Sequence, residues 1–150
     1  MLRIRATLLI SVLFAIAASF MVASPAQAAP AGCGAICDGK DPQSYKVGGR
    51  AGSPTCGSDA VTKGTFSGVE LRYSPFCRTA WARNTRTGML GYVTVESFDS
   101  SGRKRLTYDD GDSTWTRMVN DKGMKARACR WEYDSEFDNT PNLLGCTAKF

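Results

Sequence analysis

Val69-Glu70-Leu71-Arg72-Tyr73-Ser74-Pro75 is the stretch on which the fold turns. Val69, Leu71 and Tyr73 alternate with Glu70 and Arg72, the period of two that puts one row of side chains in a core and the other outside it. Ser74-Pro75 ends the run, since proline has no N–H to give a ladder. Thr79 to Asn84 reads as a second strand and Gly88 to Phe98 as a third, the latter rich in residues of high β propensity: Leu90, Tyr92 and Val93-Thr94-Val95. Asp99-Ser100-Ser101-Gly102 marks a hairpin loop, and Arg103 to Tyr108 a fourth strand with Leu106 and Tyr108 on one face. Asp109-Asp110-Gly111-Asp112 marks a tight turn before a fifth strand, Ser113 to Val119. Asn120-Asp121-Lys122-Gly123 turns the chain into a sixth, Met124 to Tyr133. Strands at this spacing, joined by short turns, predict a mostly β fold: a small antiparallel meander closing toward a barrel or a sandwich.

Outward from these strands the pattern fades. Residues 29–65 contain eight glycines and Pro30, Pro42 and Pro54, a composition of irregular loops, and hold Cys33, Cys37 and Cys56. After Asp134 an irregular tail is expected, with Asn139-Thr140-Pro141-Asn142 as a turn and Cys146 tying it back. Residues 29–65 and the β core and tail of 66–150 form one domain by length.

Residues 1–28 have a different character. Arg3 and Arg5 precede the uncharged, mostly apolar run Ala6 to Ala23, and Ala26-Gln27-Ala28 is an A-x-A cleavage site. Ser24 and Pro25 interrupt the run and no basic cluster follows it, so an export signal cleaved after Ala28 is expected rather than a membrane anchor. The whole chain carries a net charge of +5, and loss of Arg3 and Arg5 brings it to +3. Acidic and basic residues are interspersed, without the basic stripe of a nucleic-acid binder. The mature protein is thus expected to be an extracellular monomer, free of the membrane and of nucleic acid.

Export sends six cysteines into an oxidising space, where Cys33, Cys37, Cys56, Cys77, Cys129 and Cys146 read as a disulfide framework. Of fifteen possible pairings, Cys37–Cys56, Cys77–Cys129 and Cys33–Cys146 are the expected set. Metal ligation is the rival. Cys33-x3-Cys37 is the only close pair, and no second close pair or histidine completes a tetrahedral site, so no metal and no cofactor are expected.

The chain has no histidine at all. That excludes Ser-His-Asp and Cys-His nucleophilic systems and removes the commonest general base. G-x-S-x-G does not occur. Acid–base chemistry would fall to carboxylates such as Asp38, Asp41 and Asp59, where a pair could hydrolyse glycosidic bonds. Aspartates in a Gly/Pro-rich loop more often form turns through their side-chain oxygens. Asp109-Asp110-Gly111-Asp112-Ser113 has its glycine at the wrong place for a calcium loop and reads as a hairpin turn. Arg72, Arg78, Arg83 and Arg86 are the best candidates for a functional surface, because guanidinium groups suit carboxylate or phosphate recognition. Trp81, between Arg78 and Arg83, would add an aromatic face for an anionic polymer, against the plainer reading of a core tryptophan with solvated arginines on the opposite face.

Four stretches together carry a family resemblance: Cys37-Asp38-Gly39-Lys40-Asp41-Pro42; Cys56 with Asp59-Ala60-Val61-Thr62; Val69 to Pro75 running through Cys77-Arg78-Thr79-Ala80-Trp81-Ala82-Arg83; and Ala126-Arg127-Ala128-Cys129. In that order the chain resembles the YjfA-like secreted bacterial proteins, a domain of unknown function (DUF family 2690), over Cys33 to Cys129. The resemblance implies secretion and a compact disulfide-containing domain, and assigns no activity.

By elimination, the expected role is binding rather than catalysis, with a cell-envelope polymer or another secreted protein as ligand. The ligand-binding candidates are Arg72, Arg78 and Arg83, with Asp38 and Asp41 beside them. The alternatives are a small carboxylate-dependent hydrolase of wall glycans and a secreted protease inhibitor presenting the segment Tyr73 to Cys77 as a protruding loop.

Overall fold

The alternation at Val69 produces a strand pair, and that pair organises half the molecule. The computed structural model describes residues 32–49, 51–86, 90–111, 113–135, 137 and 139–150; the expected export signal, residues 1–28, lies outside them. Eight strands follow in chain order: β1 (Val61–Phe66), β2 (Val69–Ser74), β3 (Thr79–Asn84), β4 (Gly91–Phe98), β5 (Lys104–Asp109), β6 (Val119–Asn120), β7 (Lys125–Glu132) and β8 (Asn142–Cys146). They form two antiparallel four-stranded sheets, ordered β1-β2-β3-β6 and β5-β4-β7-β8. The fold is a mostly β sandwich, stapled by disulfides and preceded by an irregular segment with two 3-10 turns, Gly34–Cys37 and Val47–Gly49. No helix among the described residues is long and apolar enough to cross a membrane.

Period two builds the interior. Val69 and Leu71 of β2, Ala80 and Ala82 of β3, Val93 and Val95 of β4 and Ala126 and Ala128 of β7 are fully buried in one cluster with Val119. Each buried Val or Leu stabilises the fold by roughly 1.5–3 kcal/mol relative to an exposed one. Arg130 continues the inward row of β7 and is also fully buried; its Nε donates to Glu132 Oε1 and its Nη1 to Asn84 Oδ1.

A second core lies on the other face of the first sheet. Trp81, one residue out of phase with Ala80 and Ala82, packs there with Met118, Cys37, Cys56 and Cys77, flanked by Tyr45, Phe76 and Trp115. Residues 32–49 and 51–60 therefore cover the outer face of β2 and β3. Arg72 pairs across the strands with Trp81, and Glu70 with Arg83. Arg72 and Arg83 thus share the tryptophan's face instead of lying opposite it.

Three expectations are corrected. All six cysteines are paired, but as Cys33–Cys37, Cys56–Cys77 and Cys129–Cys146. Cys129 lies between the inward-facing Ala128 and Arg130, so it points out of the second sheet toward Cys146, its direct partner on β8. Cys77 belongs to the outer side of the first sheet, and the sandwich separates the two.

The expected fifth strand, 113–119, shrinks to Val119–Asn120 and a bridge between Trp115 and Arg83. The backbone of Met118 pairs instead with the N-terminal loop: its N–H donates to Lys40 O and its carbonyl accepts from Gly39 N–H.

The tail and the end of the loop-rich segment are strands, β8 and β1. Both are largely exposed edge strands, and each is interrupted by glycine, which masks the period in sequence. Gly145, at φ +154°, sits where a Cβ would lie 2.5 Å from the ring of Phe66, so the tail passes close against β1. Phe150 then exchanges both backbone hydrogen bonds with Ala126 and meets the Tyr73 ring edge-on at 5.0 Å.

Candidate functional site

The segment that failed to become a regular strand builds the most distinctive surface. It starts at Asp110, whose Oδ1 accepts the Val93 N–H at 2.9 Å and whose carbonyl accepts the Ser113 N–H at 2.8 Å, reversing the chain. From there the chain runs along β3. Asn84 N–H donates to Thr114 O, Thr116 N–H to Ala82 O, and Ala82 N–H to Thr116 Oγ1. Trp115, between those anchors, lies on the outer face of the first sheet.

Trp115 walls two adjoining depressions. One, of about 540 Å³, is lined by Asp41, Tyr108, Asp109, Asp110, Trp115 and Arg117, among others. The other, of about 400 Å³, is lined by Arg72, Trp81, Arg83, Asn84, Gln43 and Trp115. One side is thus rich in carboxylates and the other holds two guanidinium groups. The indole Nε1 of Trp115 is buried and finds no hydrogen-bond partner among the described residues. A buried donor left unsatisfied costs about 1–3 kcal/mol.

Electrostatics and hydrogen bonding fix the lining. Asp110 is nearly fully buried, which pushes its carboxyl above the usual range, against the Val93 N–H bond that favours ionisation. Its Oδ2 lies 3.5 Å from Asn84 Nδ2. Asp41 accepts the N–H groups of Gln43 and Ser44 at 2.7 and 3.2 Å and faces Arg117 at 4.0 Å. Its loop therefore borders the groove in a set shape. Tyr92, Trp131 and Tyr133 form an aromatic row on the second sheet; the Tyr92 and Trp131 rings are 6.0 Å apart and 8° from parallel. Burial, Tyr133 and Asp109 all raise the Tyr92 phenol, and Asp109 also lines the larger depression.

Of the residues singled out from sequence, Arg72, Arg83 and Asp41 come together around Trp115. Arg72 donates to Thr62 Oγ1 at 2.6 Å and to Ala60 O at 2.9 Å, so it also fastens β1 to β2. Arg83 stays half-exposed near Glu70. Arg78 lies elsewhere, in the turn before β3 with φ +55°, and its carbonyl accepts the N–H of Asp121. Asp121 is buried with Oδ1 unpartnered; burial raises its carboxyl to about 7, against the pull of Arg78 and Lys63. Asp38 accepts the Asn120 N–H and lines a separate depression with Arg103, Lys104 and Arg105.

Asp59 accepts from Ser74 Oγ and Phe76 N–H, fastening the 75–78 turn. That segment is a tight corner with only Pro75 exposed, not a protruding loop. Asp38, Asp41 and Asp59 therefore serve three different anchorages. The sequence reading missed Trp115, Asn84 and Arg117. Asp110 read only as part of a turn, and the one available signal was a tryptophan three residues after the end of that acidic turn.

For metal ligation, one group among the described residues has the donors: the sulfurs of Cys33, Cys37, Cys56 and Cys77 all lie within 4.8 Å of one another. The acidic side of the groove holds Asp41, Asp109 and Asp110, of which the first and last are already engaged by N–H donors.

A family model described as "Protein of unknown function (DUF2690)" matches residues 35–129, which takes in the second core, the groove and most of both sheets. No curated protein and no solved structure matches the chain.

Proposed function

We propose that this chain, which belongs to the DUF2690 family of proteins of unknown function, is a secreted extracellular binding module that holds a glycan of the cell envelope along the Trp115 groove. The observation that carries this reading is the unpartnered indole N–H of Trp115 at the junction of an arginine-lined and a carboxylate-lined depression. A sugar polymer offers hydroxyl acceptors and donors in close succession, and its apolar ring faces suit aromatic walls. Tyr108 and Trp115 would supply those walls, and Arg83 and Asp109, exposed on either side, the polar contacts. The export signal expected at residues 1–28 and the three disulfides support the extracellular setting.

Co-sedimentation of the oxidised mature protein with insoluble envelope polymer tests the proposal. Wild type should partition with the polymer, and Trp115→Ala should weaken binding about tenfold or more, in line with an aromatic hot spot. Equal partitioning of the two proteins, with folding verified by circular dichroism, would remove the groove from the account.

Glycan hydrolysis is a second reading, favoured by one observation. Asp110, held above the usual carboxylate range by burial, shares its depression with the exposed Asp109. It predicts release of reducing ends from the same polymer, abolished in Asp109→Asn. Binding without such release leaves the module reading alone.

A further inference from the structure

We propose that Cys33, Cys37, Cys56 and Cys77 form a two-state centre: two disulfides when oxidised, and a closed four-thiolate site for one zinc ion when reduced. The argument rests on placement. Cys33 precedes the 3-10 turn Gly34–Cys37 and Cys37 ends it, Cys56 comes from the loop before β1, and Cys77 from the corner before β3. Cys37, Cys56 and Cys77 are fully buried and Cys33 half-buried. Chain segments far apart in sequence thus bring four sulfurs within 4.8 Å of one another. Zinc–sulfur bonds of about 2.3 Å in a tetrahedron need sulfurs about 3.8 Å apart, so on reduction the two sulfurs of each disulfide would separate while the two pairs stay within their present reach of one another.

The second pair that the sequence seemed to lack is Cys56 and Cys77, separated by 21 residues and joined by folding. Thiolate is a soft ligand, and an all-cysteine set with no open position is the pattern of a structural zinc site. The third disulfide, Cys129–Cys146, belongs to the second sheet and supplies no ligand.

The chemistry balances with a phosphine as reductant. Each disulfide takes two electrons from one phosphine; water supplies the oxygen of the phosphine oxide and the two protons that the new thiols carry. Binding of one zinc ion by four thiols then releases four protons. The same centre would be disulfide-bonded in an oxidising medium and zinc-bound wherever thiols persist.

The test is a cobalt titration of the phosphine-reduced Cys129→Ser/Cys146→Ser chain without oxygen, repeated on the reduced wild type. The expected result is one cobalt per chain, with the intense absorption of a tetrahedral thiolate site. One equivalent of zinc should displace it, and the near-ultraviolet circular dichroism of the folded protein should be present in the loaded form. Cys33→Ser should weaken cobalt binding by more than the about 10–100-fold typical of losing an outer-shell partner. Three results would overturn the proposal: no tetrahedral spectrum, a stoichiometry other than one, or metal bound without the folded signature. A reduced chain that unfolds and is not refolded by metal falls under the last or the first of these.

Discussion

The two cores of this protein share one sheet and are built on different physics. Between the sheets, Val69, Leu71, Val93, Val95 and four alanines bury apolar surface in a strict alternation. On the outer face of the first sheet, Trp81 and Met118 are the main apolar side chains, and the rest of that core is three disulfide-bonded cysteines roofed by loops. The first core holds itself together by area removed from water. The second has too little regular backbone to order its roof that way, and cross-links that restrict the unfolded chain supply the difference. The groove sits against the second core, where irregular backbone leaves the Trp115 indole N–H without a partner among the described residues.

This contrast breaks most visibly at Leu71. Leu71→Ala should cost about 2–5 kcal/mol in urea unfolding, because both sheets close over that position and a cavity would remain. Removing the cross-link with Cys56→Ser/Cys77→Ser should cost about 3 kcal/mol on the chain-entropy estimate, against about 2 kcal/mol for the shorter Cys33–Cys37 loop. A Leu71 variant milder than the Cys33–Cys37 variant would reverse the assignment of the two cores.

Asp121 sharpens the comparison through pH. Its carboxyl titrates near 7 in the folded protein, above its value in the unfolded chain, so the folded state holds a proton that the unfolded state has lost. Stability should therefore fall as pH rises from about 4 to about 7 and then level off. Asp121→Asn should flatten that slope and raise stability at pH 8 by up to about 4 kcal/mol, read from melting curves across the range. A slope unchanged in the variant would place the titration elsewhere. Trp115→Phe should have the smallest effect on folding, below about 1 kcal/mol, since it removes a donor that has no partner among the described residues. Any polymer binding should fall with it.

The legibility of the chain follows the same division. Period two at Val69–Tyr73 and Val93–Val95 announced the sandwich core because residues of one face recur at fixed spacing there. β1 and β8 were not visible, since edge strands exposed on both faces and interrupted by Gly64 or Gly145 carry no such signal. The cysteines were legible as a framework but not as pairs. Which face Cys129 takes depends on the phase of β7, and the neighbours of Cys77 depend on a loop folding over Trp81. Arg72 and Arg83 were visible as candidates. Trp115 was not, because its place is set by Asp110 and Thr116 bonding to β4 and β3 from outside any regular strand.

Hydrogen exchange on Cys56→Ser/Cys77→Ser against wild type tests most directly whether the two cores are held by different means. The account predicts that amide protection is lost over residues 33–60 and 113–118 while Val93–Ser97 and Ala126–Arg130 keep theirs. Loss of protection across both regions together would contradict it, and would mean that one cooperative core holds the whole molecule.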